Sequence, residues 1–135
     1  MRKLLILALL SCCFLSCGKQ SEVVPYARVD VTVQINDPRY SLTRVGGYAL
    51  VQGGVAGVIV YRRSQDAFVA YDRCSSYQPE NKCAVNIDEV DIQVVDPCSG
   101  SKFLLSDGSP VKAPASRSLR AYIAVSNGFE IHVTN

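Results

Sequence analysis

Short runs of alternating apolar and polar residues, cut at close intervals by turn-forming clusters, leave this 135-residue chain little choice but a sheet. Residues 28–35 alternate with period two, as a half-buried strand does, and Asn36-Asp37-Pro38 ends the run. Residues 47–51 and 55–61 are β-rich runs joined through Gln52-Gly53-Gly54, a hairpin signal. A further run at 67–71 follows the turn-like Ser64-Gln65-Asp66. Residues 91–95 alternate again, and Ser106-Asp107-Gly108 separates 103–105 from the segment that begins at Pro110. Residues 121–125 and 129–133 flank Ser126-Asn127-Gly128, where Asn-Gly meets the positive φ that a tight hairpin turn requires. No window holds a helical period. Short strands at this spacing predict one all-β domain, an antiparallel sandwich or barrel.

The N-terminus is built differently. Met1-Arg2-Lys3 is a basic start, residues 4–15 are an apolar stretch interrupted by Ser11, and polarity returns at Cys17-Gly18-Lys19-Gln20. This is signal-peptide layout, too short for a comfortable membrane span. Phe14-Leu15-Ser16-Cys17 resembles a bacterial lipobox, in which small residues precede a cysteine that becomes diacylated. Leu9-Leu10-Ser11-Cys12 is a second candidate, and a plain secretory signal is the alternative to both. Cys17 is preferred because cutting before Cys12 would leave Phe14 and Leu15 on the mature tail. The expected organisation is a signal peptide over 1–16, a lipid-anchored tether over 17–26 and a β domain over 27–135. The resemblance implies palmitate-type acyl chains on Cys17 and an address in the bacterial envelope, facing the periplasm or the cell surface. Two or more acyl chains hold a protein stably on a membrane. Removing Arg2 and Lys3 balances the remaining charges, so a nucleic-acid partner is not expected.

The chain has six cysteines and one histidine. Cys12 and Cys13 leave with the signal and Cys17 carries lipid, which puts Cys74, Cys83 and Cys98 in an oxidising compartment where a disulfide is expected. Their surroundings are distinctive. Ala70-Tyr71-Asp72-Arg73-Cys74-Ser75-Ser76-Tyr77 resembles the strand and first cluster loop of Rieske domains. Asp96-Pro97-Cys98-Ser99-Gly100-Ser101-Lys102-Phe103 resembles their second loop, and Leu104-Leu105-Ser106-Asp107-Gly108 the strand and turn that follow it. Ala113-Pro114-Ala115-Ser116-Arg117-Ser118-Leu119-Arg120-Ala121-Tyr122 resembles a stretch near the end of that domain. The likeness covers residues 45–133 in order and is similar in detail to small bacterial lipoproteins with Rieske-like domains. It implies an antiparallel fold of about nine or ten short strands with a two-loop cluster subdomain.

The departures from the family pattern bear on function. A Rieske centre takes two histidines and two cysteines. In the second loop the ligand cysteine falls on Asp96 and the ligand histidine on Ser99. In the first loop two registers remain open. One places Cys74 at the cysteine and Ser76 at the histidine; the other places Ser75 and Tyr77 there. At most one ligand survives in either. Cys98 matches a cysteine that in many Rieske domains joins the two loops by a disulfide, and the resemblance implies Cys83 as its partner, with Cys74–Cys98 as the rival pairing.

Other chemistry is weakly supported. Cys74, Cys83, Cys98 and His132 fit no short paired zinc spacing, and His132 alternates with apolar residues as an outward strand residue does. No base accompanies a cysteine nucleophile, so no catalytic residue is expected. Asp88, Glu89 and Asp91 read as a solvated turn. Three functions follow. The first is a non-enzymatic, cofactor-free envelope lipoprotein serving as a structural or protein-interaction module. The second is a 2Fe-2S electron carrier, which requires ligands from another chain. The third is a binder of a small ligand or glycan in a concave site near Ser75, Tyr77, Asp96 and Ser99.

Overall fold

A computed structural model describes residues 23–90 and 92–135. The signal segment, Cys17 and the first residues of the tether lie outside the described residues. Among the described residues there are ten strands: β1 Asp30–Gln34, β2 Tyr48–Val51, β3 Val58–Arg62, β4 Phe68–Asp72, β5 Asn86–Ile87, β6 Gln93–Val95, β7 Lys102–Leu104, β8 Pro110–Lys112, β9 Ala121–Ser126 and β10 Glu130–Thr134. They form two antiparallel sheets, ordered β1-β10-β9-β4-β3-β2 and β5-β6-β7-β8. Among the described residues no helix is long and apolar enough to cross a membrane.

Most runs became strands within a residue or two of the expected bounds; of 91–95 the strand takes 93–95, and Asp91 lies outside the described residues. The Asn127-Gly128 turn joins β9 to β10, with Gly128 at φ 91. The run 55–61 is shorter as a strand: Val51 faces Val58, and residues 55–57 belong to the connecting loop. Their backbone donors are drawn elsewhere, as described below. β5 has two residues and shows no period of its own.

β3 explains how two sheets share one domain. Val58, Ile59, Val60 and Tyr61 are all buried, because the strand is covered on both faces. Val58 and Val60 pack with Leu42, Val33, Ile131 and Val133 in one core. Ile59 and Tyr61 pack with Val94, Phe103, Leu105 and Leu119 in the other. Arg62, at the end of β3, donates to the carbonyls of Leu42, Thr43 and Gln65 and fixes the loop before β2.

One buried carboxylate organises the junction. Asp72 ends β4 and has no exposure. Its Oδ2 accepts from Val55 N–H at 2.6 Å and from the Tyr122 hydroxyl at 2.6 Å. Its Oδ1 accepts from Cys74 N–H at 2.7 Å and Ala56 N–H at 3.2 Å. The loop before β3, strand β9 and the entry to the next loop therefore meet at one residue. Gly54, at φ 60, passes so close that a Cβ there would stand 2.8 Å from the Tyr122 hydroxyl. Burial and the bond to Asp72 push the Tyr122 phenol above its ordinary range.

Residues before 27 also contact the body of the domain. Val24 is buried, Arg120 donates to the carbonyls of Val24 and Pro25, and its guanidinium lies 5.5 Å from the Tyr26 ring centre. Residues 23–26, expected to be tether, are laid on the body because an apolar side chain and two carbonyls find partners there.

Tyr122→Phe removes one bond to a buried carboxylate and is expected to cost about 1.5–3 kcal/mol in urea unfolding. Asp72→Ala strands the N–H groups of Val55, Ala56 and Cys74 together and should cost more than Tyr122→Phe. Equal losses would show that the backbone bonds add nothing.

Candidate functional site: two loops and the cavity between them

β4 and β6 deliver the two loops. The first, residues 73–85, doubles back on itself. Ser75 N–H donates to Cys83 O at 2.8 Å, Val85 N–H to Arg73 O at 2.7 Å, and Cys74 bridges Ala84. Arg73 braces its base, with Nε 3.0 Å from Val85 O. At the tip a single 3-10 turn, Pro79–Asn81, is bracketed by Gln78 and Lys82, both at positive φ. The second loop, residues 96–101, closes through Asp96 N–H to Ser101 O and Gly100 N–H to Asp96 O, each 2.8 Å. Gly100 at φ 77 makes that closure possible without strain.

A disulfide joins the loops between Cys83 and Cys98, with Cα atoms 6.3 Å apart. This is the pairing the resemblance implied, and the rival Cys74–Cys98 does not form. Cys74 is a free, fully buried thiol whose Sγ is 3.5 Å from Pro79 O. Burial first, and then the nearby Asp72 and Asp96 carboxylates, push it up to about 11.

Asp96 and Ser99, which the resemblance sets at ligand positions of the second loop, are bonded to each other. Asp96 is 1% exposed. Its Oδ2 accepts from the Ser99 hydroxyl at 2.6 Å and its Oδ1 from Cys98 N–H at 2.8 Å. Ser99 Oγ also lies 2.8 Å from Ser101 Oγ. A hydroxyl has one proton, so with that of Ser99 given to the carboxylate, Ser101 donates to Ser99. Ser101 Oγ in turn accepts from Ala115 N–H at 3.0 Å, which ties the loop to the segment before β9. The first loop is tied to the same segment by Ser76, whose hydroxyl donates to Arg117 O at 2.6 Å.

Between the loops lies a cavity of about 330 Å³, lined among others by Tyr77, Asn81, Asp96, Cys98, Ser99 and Pro114. Tyr77 is thus brought to Asp96 and Ser99, while Ser76 turns away to Arg117 and Ser75 is buried with its Oγ accepting from Tyr77 N–H. His132 lies elsewhere, on β10, with Nε2 2.8 Å from Asp30 Oδ1. Asp88, expected in a solvated turn, accepts from Lys102 Nζ at 2.7 Å.

The donor set of a Rieske centre is two thiolates and two imidazoles. The loops offer Asp96, Ser99, Ser75, Tyr77, a thiol turned to a carbonyl and two sulfurs bonded to each other, and the sole histidine of the chain is paired with Asp30. The residues present do not fit that cluster.

A scan against protein-family models and a search of curated proteins return no match. Solved structures do match. The ferredoxin of carbazole 1,9a-dioxygenase from Nocardioides aromaticivorans IC177 is 20% identical over 81% of this chain and 98% of its own, with a TM-score of 0.51. The cyanobacterial plasma membrane Rieske protein PetC3 from Synechocystis PCC 6803 is 23% identical over 79% and 99%, with a TM-score of 0.55. A chain in the complex of reduced oxygenase and oxidized ferredoxin in carbazole 1,9a-dioxygenase is 20% identical over 77% and 93%, with a TM-score of 0.51.

Two predictions concern the cysteines. Replacing Cys83 and Cys98 together by serine is expected to cost about 3 kcal/mol in urea unfolding, the entropy of an open loop of this length. Cys74 should resist thiol reagents at pH 8 while the protein is folded and react fully in urea. The same raised group predicts alkaline destabilisation. The unfolded thiol ionises from its ordinary 9.0 and the folded one only near about 11, so stability present below pH 9 is lost as pH rises through that window. Tyr71, pushed up to about 12 from 10.0 chiefly by burial, extends the loss upward. Urea midpoints at pH 8, 9, 10 and 11 check the sign.

The order of strands, the loop-joining disulfide and the likeness to these solved structures lead to one conclusion about architecture: the chain has a Rieske-like fold.

Proposed function

We propose that this is an envelope lipoprotein whose Rieske-like domain carries no iron–sulfur cluster and works, without catalysis, as an interaction module that presents its two-loop tip to a protein partner. The observation that carries the reading is the Asp96–Ser99 hydrogen bond, which closes the second loop on itself where the family has two metal ligands. Fold alone does not carry electron transfer without its site. The similar solved complex of an oxygenase with a ferredoxin supports a protein as the kind of partner this fold meets. With Cys17 acylated and the body beginning at Val23, the intervening residues reach at most roughly 20 Å, so the domain stays close to the membrane surface. A second reading is favoured by the cavity itself. Its tyrosine ring, amides, carboxylate and hydroxyl suit a small polar ligand such as a saccharide.

Iron analysis and a visible spectrum of the full chain, purified anaerobically in detergent, test the cluster-free reading. The expected result is iron far below one atom per chain and no visible band. Two irons per chain with an iron–sulfur spectrum would overturn it.

A further inference from the structure

The disulfide and the buried carboxylate meet at one point. Cys83 Sγ, Cys98 Sγ and a carboxylate oxygen of Asp96 all lie within 4.8 Å of one another. All three residues line the cavity between the loops. Cys98 is exposed and Cys83 half-buried, so the disulfide is open to a reductant, whereas Asp96 is held from behind by Cys98 N–H and the Ser99 hydroxyl. While the sulfurs are bonded to each other, the trio offers a cation one carboxylate. Reduction changes the chemistry. A dithiol reductant breaks the S–S bond and supplies two electrons and two protons, leaving Cys83 and Cys98 as thiols and the reductant as its own disulfide. A divalent cation can then displace the two thiol protons and form two metal–thiolate bonds.

We propose that the loop tip is a redox-gated site for a thiophilic divalent cation of the Zn²⁺ class, closed by the Cys83–Cys98 disulfide and opened by its reduction. Two thiolates and one carboxylate make a donor set that favours Zn²⁺ over Mg²⁺ or Ca²⁺. In a tetrahedral site with Zn–S of about 2.3 Å the two sulfurs stand roughly 3.8 Å apart, and each stands roughly 3.5 Å from the oxygen. Both separations lie under the 4.8 Å that bounds the three atoms, and the sulfurs reach theirs by parting about 2 Å once the bond between them is broken. The bonds from Cys98 N–H and Ser99 fix the plane of the carboxylate and leave a lone pair on each oxygen. Nor do the loops depend on the disulfide alone. The Ser76–Arg117 and Ser101–Ala115 bonds hold each of them to the segment before β9 after the sulfurs part. The fourth position faces the cavity, where Asn81, Ser99 or water can complete the shell. These thiolates are the disulfide pair and not the cluster-aligned positions, so the site is distinct from a Rieske centre.

The test uses the full chain in detergent, oxidised or reduced with a phosphine and desalted under nitrogen, with Co²⁺ as the probe and Zn²⁺ as competitor. The reduced protein is expected to bind one Co²⁺ with thiolate-to-cobalt absorption that Zn²⁺ removes, at least 100-fold more tightly than the oxidised protein. Cys83→Ser and Cys98→Ser should each abolish that absorption, and Cys74→Ser should leave it. Asp96→Asn should weaken binding at least tenfold. Equal binding by oxidised and reduced protein overturns the proposal, and so does loss of the absorption in Cys74→Ser. Undiminished binding by Asp96→Asn also overturns it, because thiols in an opened chain would bind without the carboxylate. Iron in the untreated protein would count against the proposed function and not against this site, so the two failures are distinguishable.

Discussion

A carboxylate without exposure to water costs several kcal/mol to bury unless donors replace its hydration. Asp72 is such a group, and the four donors that satisfy it come from Val55, Ala56, Cys74 and Tyr122. Satisfying the charge therefore fixes three distant pieces of chain at once. The loop before β3 must fold over the end of β4, β9 must lie beside β4, and the backbone must turn at Cys74. That turn starts the first loop and sets its direction. The two-loop subdomain is thus positioned by a polar contact, while the two apolar cores on either side of β3 supply most of the driving force.

What holds the loops to each other is covalent and local. The Cys83–Cys98 bond crosses the gap, and hydrogen bonds from Ser76 and Ser101 fasten each loop to the segment that leads into β9. In the second loop the carboxylate of Asp96 and the hydroxyl of Ser99 satisfy each other. A loop tip organised in this way has its polar groups paired, and it keeps a cavity walled by Tyr77 and Asp96. This supports a surface for recognition, with the disulfide as the element most open to chemical change.

The strands were legible because period two and turn residues are local signals: Asn127-Gly128 needs nothing beyond its neighbours to predict the β9–β10 hairpin. The disulfide was legible through resemblance, since its cysteines sit in ordered motifs. The Asp72 junction was not, because its donors lie 16, 17, 2 and 50 residues away and no spacing announces them. Residues 55–57 were read as strand for the same reason: Val55 is a good strand former, but its N–H is taken by Asp72. Val24 looked like linker until Arg120, far along the chain, supplied partners for its carbonyl. The separate partners of Cys74, Ser75 and Ser76 were not legible either, because three small residues in a row carry no local signal of which turns to Pro79, Tyr77 or Arg117.

Hydrogen bonds and a disulfide organise these loops, and the proposal that rests on them is that no cluster forms there. Electron paramagnetic resonance after anaerobic incubation of the full chain with ferrous iron and sulfide, followed by dithionite reduction, addresses it most directly. The account predicts no [2Fe–2S] signal. A signal integrating to about one spin per chain would show that the protein assembles a cluster, and would contradict the account.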